Sequence, residues 1–172
     1  MYRYNRPSER PPIEHGDYRR FLLECGDPDL HWVVAYGSNL DQSRLEARVG
    51  PVYPQVMHGA LPDLRLVFNK RSGRFPDRGF ANLQHAPGEE TTAVAYRLTT
   101  EQMITLDGYE GVDSGHYLRV GLPFVHNSQR QTCQVYIAHP DHVDDTCTPT
   151  EDYLQHLRRG YEQHGFDPSR LP

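Results

Sequence analysis

Val33-Val34-Ala35-Tyr36-Gly37-Ser38-Asn39-Leu40 is a short apolar run that breaks into a polar turn. Trp32 to Tyr36 reads as a buried strand. Asp41 to Val49 reads as a helix, with Asn39 or Asp41 as its cap and Gly50-Pro51 as its stop. A strand that ends at glycine just before a helix makes a backbone nest, whose N–H groups point outward and can hold a carboxylate or an oxyanion. Strand–turn–helix corners are common, so the octapeptide alone describes an ordinary corner as well as a site.

Outward from this corner the chain alternates short strands with a few helices. Val52 to Leu61, Leu64 to Asn69, Phe80 to His85 and Thr92 to Leu98 have strand character. Lys70 to Gly79, with its Gly, Pro and three arginines, reads as an exposed loop. Ala86-Pro87-Gly88-Glu89 has turn chemistry and predicts a hairpin from Phe80 to Leu98. Thr100 to Asp107 reads as a second helix with Met103, Ile104 and Leu106 facing the sheet. Tyr117 to Val125 and Thr132 to Ala138 alternate as strands around an Asn127-Ser128 turn, and His139 to Pro149 is a loop. Thr150 to Tyr161 forms a terminal helix with Tyr153, Leu154, Leu157 and Tyr161 on one stripe. Mostly antiparallel strands with few helices imply an α+β fold, either a curled sheet or a small β-barrel.

The chain has 172 residues, enough for one domain with a substantial core. Residues 1 to 30 read as an N-terminal extension and 31 to 172 as the domain. Within the extension, Asp17 to Cys25 can form a short amphipathic helix that docks on the domain or on a second subunit, which leaves a homodimer open. A net charge of −5 gives no electrostatic footprint for nucleic acid. The apolar runs are too short to span a membrane, and the N-terminus lacks a signal-peptide core, so a cytoplasmic protein is expected. Cys25, Cys133 and Cys147 are odd in number and widely spaced, against a disulfide framework or a structural zinc site. No phosphate-binding Gly-x-x-x-x-Gly-Lys loop is present, and Lys70 is the only lysine for Schiff-base chemistry. His139-Pro140-Asp141-His142, followed by Asp144 and Asp145, hints at a metal, but Pro140 and a loop setting give no rigid presentation. A solvated loop is the simpler reading there, and no metal or other cofactor is expected. Ser38 and Ser114 lie outside any Gly-x-Ser-x-Gly elbow.

One further stretch carries chemistry: Leu106-Asp107-Gly108-Tyr109-Glu110-Gly111-Val112-Asp113-Ser114-Gly115-His116-Tyr117. Glu110 follows the second helix among three glycines, where the backbone turns sharply and can present a carboxylate into a cleft. Tyr109 and Tyr117 beside it would supply the enclosed, aromatic setting that raises a carboxyl's affinity for protons. On composition alone, a surface glutamate describes Glu110 more simply.

The two stretches together resemble the gamma-glutamylcyclotransferase family, whose members expel 5-oxoproline from γ-glutamyl compounds. Gly79 to Glu89 is similar to the family's central hairpin. Pro149-Thr150 to Tyr153-Leu154, Gly160 and His164-Gly165-Phe166 are similar to its terminal helix and following turn. The likeness runs from about Val33 to the C-terminus; it is loose from Gly50 to Arg78, where part of the substrate selectivity is expected, and residues 1 to 30 have no counterpart.

The resemblance implies a catalytic acid/base at Glu110. It implies that Gly37, Ser38, Asn39 and Leu40 offer backbone contacts to the γ-glutamyl head group, with Tyr36 lining the wall. Tyr117 and Tyr136 would be polar pocket residues; as sequence alone they are equally half-buried strand tyrosines. The implied reaction is attack of the substrate's α-amine on its own γ-carbonyl, releasing 5-oxoproline and an amine. The substrate would be a small γ-glutamyl molecule, with neither nucleic acid nor membrane as partner. Two alternatives remain open: removal of a γ-glutamyl cap from a specialised biosynthetic amine, and a non-catalytic module that binds acidic metabolites.

Overall fold

The computed structural model describes residues 30–171; the extension and its Asp17–Cys25 helix lie outside them. Five strands, β1 (Leu30–Ala35), β2 (Val56–Arg71), β3 (Gly79–Thr99), β4 (Tyr117–His126) and β5 (Gln129–Ala138), close into a barrel in the order β1-β3-β2-β4-β5. Neighbours are antiparallel except where β5 meets β1 in parallel, Val33 opposite Gln134 and Val34 opposite Val135. Three α-helices lie among the described residues: α1 (Gln42–Val49), α2 (Thr100–Glu110) and α3 (Glu151–His164). The fold is therefore the mixed, mostly antiparallel α+β barrel that the strand pattern implies. No helix among the described residues is long and apolar enough to cross a membrane.

β1 reads as a continuous apolar run because both of its faces are covered. Val33 and Ala35 pack with Leu45 of α1 and with Met103 and Leu106 of α2. Val34, with Tyr36 just beyond the strand, packs with Leu61, Val120 and Phe124 on the other face.

The hairpin from Phe80 to Leu98 does not form; β3 is one strand of 21 residues lying along β2. The registers explain why. Pro62 faces Glu90 and Leu64 faces His85, so Asp63 alone opposes the four residues from Ala86 to Glu89. Asp63 takes a positive φ of 58°, Gly88 one of 81°, and the Asp63 carboxylate accepts the Gly88 N–H at 2.9 Å. The turn chemistry is thus spent on a bulge that bends two long strands together. The same bulge joins the two expected strands from Val52 to Asn69 into β2. Loop residues 73–78 are exposed as expected, but Lys70 is not: it belongs to β2 and is only 4 % exposed.

α2 begins at Thr100 as expected, capped by Thr99, and ends three residues beyond the expected Asp107. Thr99 accepts the Gln102 N–H, and the Gln102 side chain accepts the Thr99 N–H, a reciprocal capping box. Gly111 closes the helix in the left-handed conformation at φ 66°. Glu110 is therefore the last residue of the helix rather than part of a following loop. Met103 and Leu106 are buried, but Ile104 is turned to solvent and Asp107 takes the inward position.

In α3 the buried stripe is Tyr153, Leu157, Gly160 and Tyr161, with Leu154 only half-buried. Gly160 lets the helix touch the corner after β1. A Cβ there would lie 2.3 Å from Leu40 Cβ and 2.7 Å from Leu40 C. Farther along α3, His164 Nε2 lies 2.7 Å from the Tyr96 hydroxyl and 3.1 Å from the Leu40 carbonyl. Burial pushes the His164 pKa below 6.5, the Leu40 carbonyl opposes that, and the His58 ring adds to it.

Gly160→Ala should destabilise the protein by about 1–3 kcal/mol in urea unfolding, despite the ~1 kcal/mol gain in helix propensity, because the added methyl meets backbone. An unchanged midpoint would show that the helix can lift off the corner freely. Because the folded pKa of His164 is lowered, its stabilisation is full above the unfolded value and is lost as pH falls through the folded one. Melting temperature should therefore drop between about pH 7 and about pH 5, and less steeply in His164→Gln. Parallel profiles for the two proteins would rule out this source.

Candidate active site

β1 and β5 run in parallel, so both deliver their C-terminal ends to one rim of the barrel, and antiparallel β4 begins there with Tyr117 opposite Ala138. Past Ala35 the chain makes a 3-10 turn, Ser38–Leu40, in which the Leu40 N–H donates to the Gly37 carbonyl at 3.0 Å. Asp41 then caps α1, accepting the Arg44 N–H, and its other carboxylate oxygen meets His156 Nδ1 at 2.8 Å. A cleft opens at this rim between the corner, the end of α2 and the start of α3. Tyr36, Gly37, Ser38 and Asn39 line one side, Glu110 and Tyr117 the other, and Tyr136 and Tyr153 the remaining wall.

Seven of the eight expected site residues thus converge. Leu40 does not: it is fully buried, and its carbonyl accepts the Tyr96 hydroxyl at 3.0 Å. It anchors the corner in the core instead of touching the cleft.

Glu110 is held by Asn39, already a site residue in the sequence, and by Arg48, which the sequence did not suggest. Its Oε1 accepts Asn39 Nδ2 at 2.9 Å and Arg48 Nη1 at 3.0 Å, while the same Arg48 nitrogen donates to Asn39 Oδ1 at 2.9 Å. Asn39 therefore acts through its side chain, where only a backbone contact was expected. Both donors converge on Oε1; Oε2 receives no hydrogen bond among the described residues. Of the two aromatic neighbours expected for Glu110, Tyr117 lines the cleft, whereas Tyr109 is 58 % exposed. Arg48 lies over the Tyr109 ring, 5.4 Å from its centre.

The tyrosines have their protons committed. Tyr36 donates to the Tyr136 carbonyl, Tyr117 to the Ala81 carbonyl at 2.8 Å, and Tyr136 to Asp107 Oδ1 at 2.8 Å. Burial pushes all three hydroxyls well above the usual phenol range, with the Glu110 charge adding to the shift. They remain neutral and offer oxygen lone pairs, not protons. Tyr153 differs. Its oxygen accepts the Ala81 N–H at 3.0 Å, which leaves its hydrogen for a partner in the cleft. Burial and the Glu110 charge also raise this hydroxyl, against hydrogen bonds from Ala81 and Ser38. In the sequence Tyr153 is one member of an apolar helical stripe. Only the approach of α3 to the corner gives it a polar role.

Behind Tyr136 lies a buried ion pair. Asp107 Oδ1 accepts Arg119 Nε at 2.9 Å, and Arg119 Nη1 reaches Gln134 Oε1 at 3.1 Å. Asp107 sits one helical turn before Glu110, so this pair locks the end of α2 against β4 and β5. The groups of the His139–Asp145 loop are used locally. His142 stacks on His116 at 4.3 Å, Asp144 accepts Thr146, and Asp145 accepts Asn69 Nδ2 at 2.7 Å. No three His, Cys, Asp or Glu side chains gather to hold a metal among the described residues.

Beyond Glu110 the cleft widens into an outer vestibule lined by Arg44, Arg48, Lys70 and Arg74. Burial lowers the Lys70 pKa from its ordinary value, the Glu110 charge opposes the shift, and Arg71 adds to it.

Comparison with known proteins agrees with this architecture. The model of the AIG2-like family matches residues 90–169, which contain α2, Glu110, Tyr117 and all of α3. A mouse gamma-glutamylcyclotransferase is 27 % identical over 136 residues, covering 77 % of this chain and 70 % of the mouse protein. The human gamma-glutamylcyclotransferase is 26 % identical over 144 residues, covering 81 % and 74 %. A solved structure of a gamma-glutamyl cyclotransferase superimposes with a TM-score of 0.73 at 23 % identity, covering 82 % of this chain and 83 % of its own.

Asp107→Asn should destabilise the protein by about 3 kcal/mol, because it leaves the buried Arg119 guanidinium without its counter-charge. Urea denaturation reads this directly. A loss below about 1 kcal/mol would mean that Gln134 and solvent suffice to hold Arg119.

Proposed function

We propose, from the likeness of this chain to the gamma-glutamylcyclotransferases and the AIG2-like family, that it cyclises the γ-glutamyl group of a small substrate, releasing 5-oxoproline and an amine. The observation that carries this reading is Glu110, pinned through one carboxylate oxygen at the mouth of a cleft walled by neutral tyrosines.

Both reacting groups belong to the substrate, so the protein's task is to hold one conformer and relay protons away from the attacking nitrogen. The tyrosine oxygens and Oε2 of Glu110 can accept from the substrate's ammonium. Glu110 then takes a proton as the amine nitrogen bonds to the γ-carbonyl carbon, closing the five-membered ring. The amides of the Gly37–Asn39 turn and the Tyr153 hydroxyl are placed to stabilise the oxyanion of the tetrahedral intermediate. Collapse of that intermediate breaks the bond to the leaving nitrogen, to which Glu110 returns the proton, while the ring nitrogen sheds its second surplus proton to water or to the freed amine, leaving a neutral lactam. Arg48 and Asn39, both on Oε1, fix the carboxylate's direction while leaving Oε2 free to do this.

The test is 5-oxoproline release from γ-glutamyl dipeptides, γ-glutamyl amines and glutathione. Glu110→Gln keeps an oxygen for Arg48 and Asn39 but cannot cycle a proton. Its turnover should fall by about 10²–10⁴-fold with its melting temperature preserved. A folded Glu110→Gln protein with wild-type turnover would remove Glu110 from the chemistry. Ligand binding without turnover in the wild type would favour a binding module.

A further inference from the structure

Three cations of the outer vestibule, Lys70, Arg44 and Arg74, make no direct ion pair with a carboxylate among the described residues; Glu110 acts on Lys70 and Arg44 only at longer range, with Asp41 also acting on Arg44. Lys70 is 96 % buried by its 4 % exposure, yet it meets no carboxylate among the described residues. Its Nζ lies 3.1 Å from His116 Nδ1, and 5.7 Å and 5.3 Å from the centres of the Phe80 and Tyr117 rings. Arg44 reaches only His156 through Nη1, at 3.2 Å, and its Nε is buried with no hydrogen-bond partner. Arg74, on the exposed loop, lies over the Phe75 ring. Arg48 is the one cation here with a carboxylate, and that carboxylate is Glu110.

A buried ammonium costs free energy unless an anion accompanies it. Lys70 and Arg44 line the same vestibule as Glu110 and Tyr117, so whatever extends outward from the reacting carbonyl must pass them. The charges also allow a count. Arg44, Arg48, Lys70 and Arg74 bring four positive charges, and Glu110 brings one negative. The γ-glutamyl head group, ammonium and α-carboxylate together, adds no net charge, so an excess of three positive charges faces the leaving group, enough to hold two anions.

Resting on the cyclotransferase reading above, we infer that the vestibule selects γ-glutamyl conjugates whose leaving amine itself carries two anionic groups, as a dicarboxylic amino acid does. Lys70 and Arg44 contact the anion nearer the scissile bond, and Arg74 the outer one. Aliphatic amines and diamines are disfavoured, since they leave the buried cations unpaired or meet like charge. The preference is set by Arg44 of α1 together with Lys70 of β2 and Arg74 of the loop after it, the last two within the stretch that matches the family only loosely.

The test compares kcat/KM for γ-glutamylglutamate, γ-glutamylalanine and γ-glutamylbutylamide. The expected order follows the leaving group's negative charge, with about tenfold or more between the first and last, shrinking at high salt. Lys70→Met, which keeps the buried stem, should compress that ratio several-fold, and Lys70→Arg should preserve much of it. Arg74→Ala, an exposed site that poses little risk to folding, should reduce the step between the glutamate and alanine conjugates. Calorimetric binding of the same three compounds to Glu110→Gln reads the preference without turnover, and it should show the same order. Cyclisation of all three at similar kcat/KM, or a ratio indifferent to both Lys70→Met and Arg74→Ala, overturns the inference while leaving the cyclotransferase reading intact. Ranked binding without turnover fails the reaction but keeps the anion selectivity. Equal affinities in the calorimeter overturn it.

Discussion

The site depends on one carboxylate oxygen. Oε1 of Glu110 accepts from Asn39 and Arg48 at once, and Arg48 also donates to Asn39. Three chain segments meet in that triangle: the corner after β1, the C-terminal turn of α1 and the last residue of α2. Each contact is short and shielded, so the guanidinium is worth more here than the same ion pair on an open surface. The triangle fixes the direction of the carboxylate, and through Asn39 it also holds the turn opposite. The carboxylate and the turn beside it are thereby set by the same bonds.

Around this point the molecule separates two electrostatic environments. Apart from Glu110, the inner cleft is walled by neutral tyrosine hydroxyls: Tyr36, Tyr117 and Tyr136 have donated their protons to protein acceptors, and Tyr153 keeps its hydrogen for the cleft. The outer vestibule is cationic and poorly compensated. The boundary between them runs along Glu110 and Tyr117, which line both spaces. The ion pair of Asp107 and Arg119 is a third layer. It touches neither space but fixes Tyr136 and the end of α2.

The corner and the mostly antiparallel α+β class were legible because they rest on local signals, and Glu110 stood out as a site only through the resemblance of its glycine-flanked motif to the family. An apolar run ending in Gly-Ser-Asn and a glycine-flanked glutamate after a helical pattern need no knowledge of distant partners. The failures share a cause. Ala86-Pro87-Gly88-Glu89 has the composition of a hairpin turn, and only the opposing Asp63 at positive φ makes it a bulge. Leu40 belongs to a motif whose other members face the cleft, yet α3, more than a hundred residues later, covers it. Lys70 sits beside loop residues and reads as one, until β2 carries it under Phe80 and Tyr117. Arg48 and Tyr153 gain their roles from helices docking side by side, and no spacing in the sequence encodes that meeting. Contacts at large sequence separation decided each of these, and a single sequence shows none of them.

The barrel closes through only two residue pairs between β1 and β5, joining strands about a hundred positions apart. This makes assembly strongly non-local, a topology that folds slowly compared with helical bundles. During synthesis, β1 emerges early and must wait for β3 on one side and for β5 on the other. The waiting strand is a flat apolar edge, the kind of surface on which nascent chains stick to one another. The cleft itself has no partial form, because Tyr36 needs the Tyr136 carbonyl and Tyr153 needs the corner. A chain interrupted before β5 therefore carries the glutamate and the turn, but not the geometry that relates them.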